Sequence, residues 1–174
     1  IGLPSPFHEV LETPAGSGVS FIPMSDACAC GPKRILILAV SLSRDSLPCG
    51  HCGGAVEVDS LKGPREALHL LRRWVDQAFA IETLWFASGE YEAWAKGELD
   101  GPRSKVNVLG RLVAEKMSPS LETWLASAPH AGARQAVDKY LDPCPLCQEP
   151  TEVLGFIPKF GRGCRKCRVA GSAV

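Results

Sequence analysis

The chain has no run of about 18 apolar residues, which speaks against a helix that crosses a membrane. Its longest apolar stretch, Ile35 to Val40, has the length of a buried strand. It also lacks a surplus of either charge, since 19 basic and 19 acidic residues balance among 174. That balance argues against a strongly electrostatic nucleic-acid binder, whose footprint is usually a basic domain. Catalytic signatures are missing too. The four histidines form no H-E-x-x-H or H-x-E pattern, and no G-x-S-x-G, P-loop or dinucleotide fingerprint occurs. The expectation is a protein that is not an enzyme. Ile1 to Pro6 show no basic start followed by an apolar block, so no secretory signal is expected and the cytoplasm is the default location. The absence of an initiator Met suggests a piece of a longer chain.

What is present is cysteine, and none of it stands alone. Cys28 and Cys30 form one C-x-C; Cys49 and Cys52, Cys144 and Cys147, and Cys164 and Cys167 form three C-x-x-C pairs. Eighteen residues separate Cys30 from Cys49 and sixteen separate Cys147 from Cys164, whereas 91 lie between Cys52 and Cys144. Two thiolates two or three residues apart can point inward from one tight turn and share a metal at about 2.3 Å. A spacer of this length allows a strand out, a turn and a strand back, so that the second pair completes a tetrahedron. The eight cysteines therefore divide into two sets of four, each laid out as a zinc ribbon, and two Zn²⁺ per chain are expected. Disulfides would need an oxidising compartment that nothing in the sequence indicates. Iron is the alternative metal for an all-thiolate site. In the first set Cys28-Ala29-Cys30 is a tight turn, and His51 is a candidate to replace one thiolate. Cys49-Gly50-His51-Cys52 also matches the active-site tetrapeptide of protein disulfide isomerases. In that fold, however, the pair opens a helix. Here Gly53-Gly54 and an alternating Val56-Glu57-Val58 follow, which predicts a knuckle leading into a strand.

Between the sets the pattern turns helical. Ala67, Leu71, Trp74, Val75, Ala78 and Phe79 recur at three- and four-residue steps after Gly63-Pro64, predicting an amphipathic helix of about five turns. Tyr91 to Leu99 reads as a weaker helix, stopped by Asp100-Gly101-Pro102. Ser104 is placed to cap a third, with Val106, Leu109, Val113 and Met117 as its stripe. Ser118-Pro119 would end that helix and begin another carrying Leu121, Trp124 and Leu125, and Ala133 to Leu141 would form a last one. Strands are expected at Val19–Pro23, at Lys33–Ser43 as the centre of the first ribbon, at Val56–Leu61 pairing with it or continuing the sheet, at Thr151–Phe156, and at Val169–Val174. Lys159–Gly163 would be the return in the second ribbon. The predicted fold class is α+β, with an N-terminal segment and first ribbon over 1–60, a helical middle over 61–142, and a C-terminal ribbon over 143–174. With 45% hydrophobic and 22% charged residues, the whole chain can build a core that neither ribbon could build alone.

The stretch C-A-C-G-P-K-R-I-L-I-L-A-V-S-L-S-R-D-S-L-P-C-G-H-C, Cys28 to Cys52, resembles the first metal motif of a bacterial family of uncharacterised zinc-ribbon-containing proteins. C-P-L-C at Cys144–Cys147 and C-R-K-C-R-V at Cys164–Val169 resemble its second. The chain departs from that family in having Lys159-Phe160-Gly161-Arg162-Gly163 where aromatic residues precede the last pair. The resemblance implies two four-cysteine ribbons around a helical middle, with nucleic-acid binding as the activity suggested for the family.

Two partner classes follow. Residues 144–174 carry Lys159, Arg162, Arg165, Lys166 and Arg168 against Glu149 and Glu152. These five cations are the candidate phosphate contacts, with Phe156 or Phe160 to stack on a base. Four thiolates on one Zn²⁺ carry a charge of −2, however, and reduce that basic footprint. A protein partner is the preferred expectation. Residues 1–60 hold three basic and six acidic residues, and with Trp74, Trp85, Trp94 and Trp124 nearby they could form a face for a basic partner.

Overall fold

The computed structural model describes residues 26–39, 43–127, 142–155 and 161–171. The strand expected at Val19–Pro23 and the helix expected at Ala133–Leu141 lie outside them.

After the first cysteine pair the chain makes a 3-10 turn at Gly31–Lys33 and enters strand β1, Leu36–Leu38. Strands β2 (Ser46–Pro48) and β3 (Ala55–Glu57) then form an antiparallel hairpin, with Leu47 opposite Val56. This corrects the expected ribbon. Lys33–Ser43 does not form its centre, and Val58–Ser60 is a second 3-10 turn rather than a strand paired with β1. The reason lies in β1 itself, whose three residues are all fully buried. A strand covered on both faces needs partners and layers that a two-stranded ribbon does not supply.

Helix α1, Arg65–Ala87, begins directly after Pro64 and buries Ala67, Leu71, Trp74, Val75 and Ala78 along one stripe. At 23 residues it is longer than the predicted five turns and extends past Trp85. Helix α2, Glu92–Asp100, packs Ala95 and Leu99 against Ile81 and Trp85 at the far end of α1, in a small satellite core. Helix α3, Lys105–Met117, starts as its sequence predicts, because the Ser104 hydroxyl accepts from the Asn107 backbone N–H at 3.2 Å. The Asn107 side chain reaches back and donates to the carbonyls of Leu99 (2.8 Å) and Gly101 (2.9 Å). That amide satisfies otherwise open carbonyls at the end of α2 and joins the two helices.

The predicted helix over Leu121–Leu125 is instead strand β4, Thr123–Ser127. Leu121, Trp124 and Leu125 are spaced as a helix stripe would be, but Trp124 and Leu125 are both buried on opposite faces of the sheet. A strand buried on both sides gives no alternation, so its pattern resembles a helix stripe. β4 is the centre of the architecture. It pairs in parallel with β1, Ile37 opposite Trp124, and on its other edge in parallel with β7 (Val169–Gly171), Leu125 opposite Val169. β7 pairs antiparallel with β6 (Arg162–Cys164), and β6 with β5 (Glu152–Val153). The order β1-β4-β7-β6-β5 makes one five-stranded sheet from strands that precede and follow the helices.

Leu36, Leu38 and Leu125 face the helices, in a core with Leu71, Trp74, Val113 and Met117. Each such side chain contributes about 1.5–3 kcal/mol by leaving water. Ile37, Ala39, Trp124 and Ala170 form a second cluster on the opposite face. The chain is thus α+β, with a helical middle flanked by strands that carry the two cysteine sets.

Candidate metal centres

The cysteines of each set converge. The sulfurs of Cys28, Cys30, Cys49 and Cys52 lie within 4.8 Å of one another, and so do those of Cys144, Cys147, Cys164 and Cys167. All eight are free thiols. The Cys147 and Cys164 sulfurs are 3.6 Å apart. That is far beyond a disulfide bond, but close to the roughly 3.8 Å between vertices of a tetrahedron with 2.3 Å metal–sulfur bonds. Four sulfurs in such a group can hold one metal ion, and all-thiolate donor sets suit zinc or iron.

Local backbone explains how each pair points inward. In all four turns the residue after the second cysteine has a left-handed conformation: Gly31 (φ 55°), Gly53 (φ 78°), Gln148 (φ 61°) and Arg168 (φ 53°). This bend turns the chain back over its own sulfurs. Gly53 N–H then donates to the Cys49 carbonyl at 2.8 Å, and Gln148 N–H to the Cys144 carbonyl at 2.8 Å. Gly54 N–H donates to the Cys52 sulfur at 3.4 Å. The knuckle at Cys49–Cys52 closes the β2–β3 hairpin, and that at Cys164–Cys167 closes the turn from β6 to β7. Cys49-Gly50-His51-Cys52 therefore leads into a strand, as its glycines predict. His51 is exposed, and the four sulfurs are complete without it.

Gly54 lets the two knuckles of the first centre meet. A Cβ there would lie 2.9 Å from the Asp26 carbonyl oxygen and 3.0 Å from Cys28 Cα. Cys28 N–H donates to the Ala55 carbonyl (2.8 Å) and Ala55 N–H to the Asp26 carbonyl (2.7 Å), which fixes the first knuckle against β3.

The thiols do not titrate alike. Burial works to raise the Cys49 thiol, but backbone N–H groups of Ile35, Cys52 and His51 together draw it down to about 7. The shared hydrogen bond with Cys52, then burial, pushes Cys30 up to about 12, and burial raises Cys28. In the second centre the Glu149 N–H lowers Cys147, while burial raises Cys164 and Cys167. One sulfur per cluster is favoured as the thiolate, and its charge discourages its neighbours. A dication removes that conflict, so metal capture displaces the protons and weakens as pH falls.

Buried or tethered cations stand beside the second group. Arg111 of α3 is half-buried and donates to the Pro102 carbonyl at 2.5 Å. Burial lowers its pKa, and the nearby Cys167 and Cys144 sulfurs oppose that shift. Lys166, held by Glu149 at 2.5 Å, is raised by that carboxylate and, to a lesser degree, by Cys147 and Cys167. Positive charge beside the ligands tempers an excess of thiolate. Lys166 stands next to a ligand in sequence, but Arg111 has no signal there, because 32 residues and a change of element separate it from Cys144.

The other candidate phosphate contacts are also engaged within the fold. Arg162 donates to Thr151 Oγ1 (3.0 Å), the Thr151 carbonyl (2.7 Å) and Asp142 Oδ2 (2.9 Å), fastening the segment with the Cys144–Cys147 knuckle to β6. Arg165 pairs with Glu152 at 2.7 Å. The guanidiniums of Arg165 and Arg168 lie 5.7 and 5.5 Å from the ring centre of Trp124, which is fully buried. Lys159, with Phe156 and Phe160, lies outside the described residues. Of the tryptophans, Trp74 and Trp124 are core, Trp85 is buried, and Trp94 is half exposed. In the acidic N-terminal part, Asp45 and Asp59 pair with Arg72.

Among the described residues, no helix is long and apolar enough to cross a membrane. No family model, no curated protein and no solved structure matches the chain.

Proposed function

We propose that the chain is a non-catalytic zinc protein whose two four-cysteine centres are structural, and that it serves as a binding module for another protein, of adaptor, inhibitor or immunity type. One observation carries this reading: the eight thiols are consumed four by four. A catalytic zinc keeps a coordination position for water or substrate beside three protein ligands. Four sulfurs within 4.8 Å of one another could fill all four positions of a tetrahedral ion, which supports a structural role at both centres. The pair–spacer–pair layout of each cysteine set, that of a zinc ribbon, supports zinc over iron.

Nucleic-acid binding through the C-terminal ribbon is the alternative. The intramolecular partners of Arg162, Arg165 and Lys166 leave it a small free footprint. The test has two parts. Metal analysis of the purified protein should return close to two zinc per chain, and iron or an empty protein would remove the structural premise. Cross-linking in the native host should then recover one protein at near-equal stoichiometry. Recovery of nucleic acid instead, with salt-dependent binding at low ionic strength, would favour the alternative.

A further inference from the structure

The surface of α2 leaves large aromatic side chains open beside carboxylates that have no ion-pair partner among the described residues. Ala95 and Leu99 point into the satellite core, and helical periodicity puts Trp94 and Gly97 on the opposite side. Trp94 is 52% exposed, and Tyr91, one turn before it, is 51% exposed. Large aromatics are usually covered on at least one face, so two neighbours left this open mark a contact surface.

Charge sets the chemistry of what covers them. Glu90 and Glu92 flank Tyr91 in sequence, Glu98 stands one turn after Trp94, and none of the three has an ion-pair partner among the described residues. Elsewhere acidic side chains facing a basic neighbour are matched, as in Arg44–Asp76, Lys116–Glu66 and Arg162–Asp142. From Glu90 to Asp100 there are four acidic residues against Lys96 alone, and Lys96 is bound to Asp100. Aromatic faces bordered by unmatched carboxylates attract Lys or Arg side chains, which stack on the ring while the carboxylates take the charge.

Gly97 gives an independent indication. It lies inside a nine-residue helix, where glycine is unfavourable relative to alanine. Among the described residues a Cβ there would meet nothing within 4 Å, so their packing does not require glycine. A bare backbone one turn from an exposed tryptophan suits the close approach of another chain.

We infer that the outward face of α2, with Trp94 as its platform, binds a cationic segment of a partner protein through a Lys or Arg stacked on the indole. The inference rests on the protein-partner reading and adds the surface and the chemistry of what it meets. The occupant is a Lys- or Arg-rich segment, since an acidic or nucleic-acid ligand would meet Glu90 and Glu92 first.

A random 15-residue peptide display library selected against the zinc-loaded full chain tests this directly. Enriched peptides should carry net positive charge, and a synthetic copy of one should bind Trp94→Ala about tenfold more weakly. The paired change Glu90→Gln with Glu92→Gln should cost several-fold at low salt and little at high salt. Gly97→Ala should raise Tm yet weaken binding, an outcome that loss of folding cannot produce. The inference is overturned by no enrichment, by neutral or acidic winners, by equal binding to Trp94→Ala, or by Gly97→Ala that binds as tightly as the parent. Self-association abolished by Trp94→Ala would assign the face to a second copy and also overturn it. If host cross-linking recovers one partner equally with the parent and with Trp94→Ala, this surface is wrong while the partner reading stands. If it recovers none with either, the partner reading itself fails.

Discussion

In the N-terminal centre the second knuckle closes a separate two-stranded hairpin, whereas in the C-terminal centre it closes the turn between two strands of the main sheet. The first shares the main core through Leu47, Cys49 and Val56, but its strands join the sheet's hydrogen bonding only locally, by a bridge between Leu36 and Cys49 and a bond from Gly50 N–H to the Ile35 carbonyl at 2.7 Å. The second runs straight into β7, which lies against β4 along its length. Their electrostatics differ in the same way. Cys49 is stabilised as a thiolate by three backbone N–H groups, while the C-terminal sulfurs have Arg111 and Lys166 within reach. The first centre draws its counter-charge from backbone N–H groups, those of its own knuckle and that of Ile35 just before β1. The second, built into a sheet, can draw on neighbouring elements.

The comparison is broken most directly by removing one ligand from each centre. Cys164→Ser should cost at least about 4 kcal/mol, because losing that metal also frees β6 and β7 from β4. Cys52→Ser should cost roughly 2–3 kcal/mol, with the main sheet intact. Urea unfolding with zinc analysis checks both, and equal losses would show that the sheet gives the second centre no special role. Next come two glycines. Gly110→Ala places a Cβ 2.7 Å from Leu125 Cδ1 and from Trp74 Nε1, a buried N–H with no hydrogen-bond partner among the described residues. Gly54→Ala strikes the Asp26 and Cys28 backbone. Each should cost about 1–3 kcal/mol by overpacking, but only Gly54→Ala should lower zinc content, and only at the first centre.

Arg111→Gln sharpens the electrostatic side of the comparison. A cation near thiolates favours the charged form, so its loss raises the thiol pKa values and shifts metal retention to higher pH. Zinc affinity at the C-terminal centre should fall about tenfold, with the N-terminal centre unchanged, in a chelator competition read at several pH values. The smallest effect has the opposite sign. Gln148 holds φ at 61°, a conformation that suits glycine better, so Gln148→Gly should stabilise by up to about 1 kcal/mol in thermal unfolding.

Local features are legible in the sequence and long-range ones are not. The knuckles show in the cysteine spacing, α1 in its stripe, and α3 in Ser104, since each depends on residues a few positions apart. β4 reads as a helix because Trp124 and Leu125 are buried on opposite faces, and no local pattern separates that from a helical stripe. Nothing near Leu36 or Val169 indicates that both flank the same strand. Arg111 is hidden for the same reason, because its role exists only once α3 lies beside a knuckle far along the chain.

The central place of β4 also bears on how the molecule is completed during synthesis. Its first neighbour, β1, is already made when β4 emerges, but its second arrives only with residues 169–171. Until then a row of backbone donors and acceptors stands open beside Trp124. Such an edge can be taken by another nascent chain. If the four C-terminal thiolates gather round an ion, that step would draw β7 into place, and the supply of metal to the growing polypeptide would set how long that edge stays exposed.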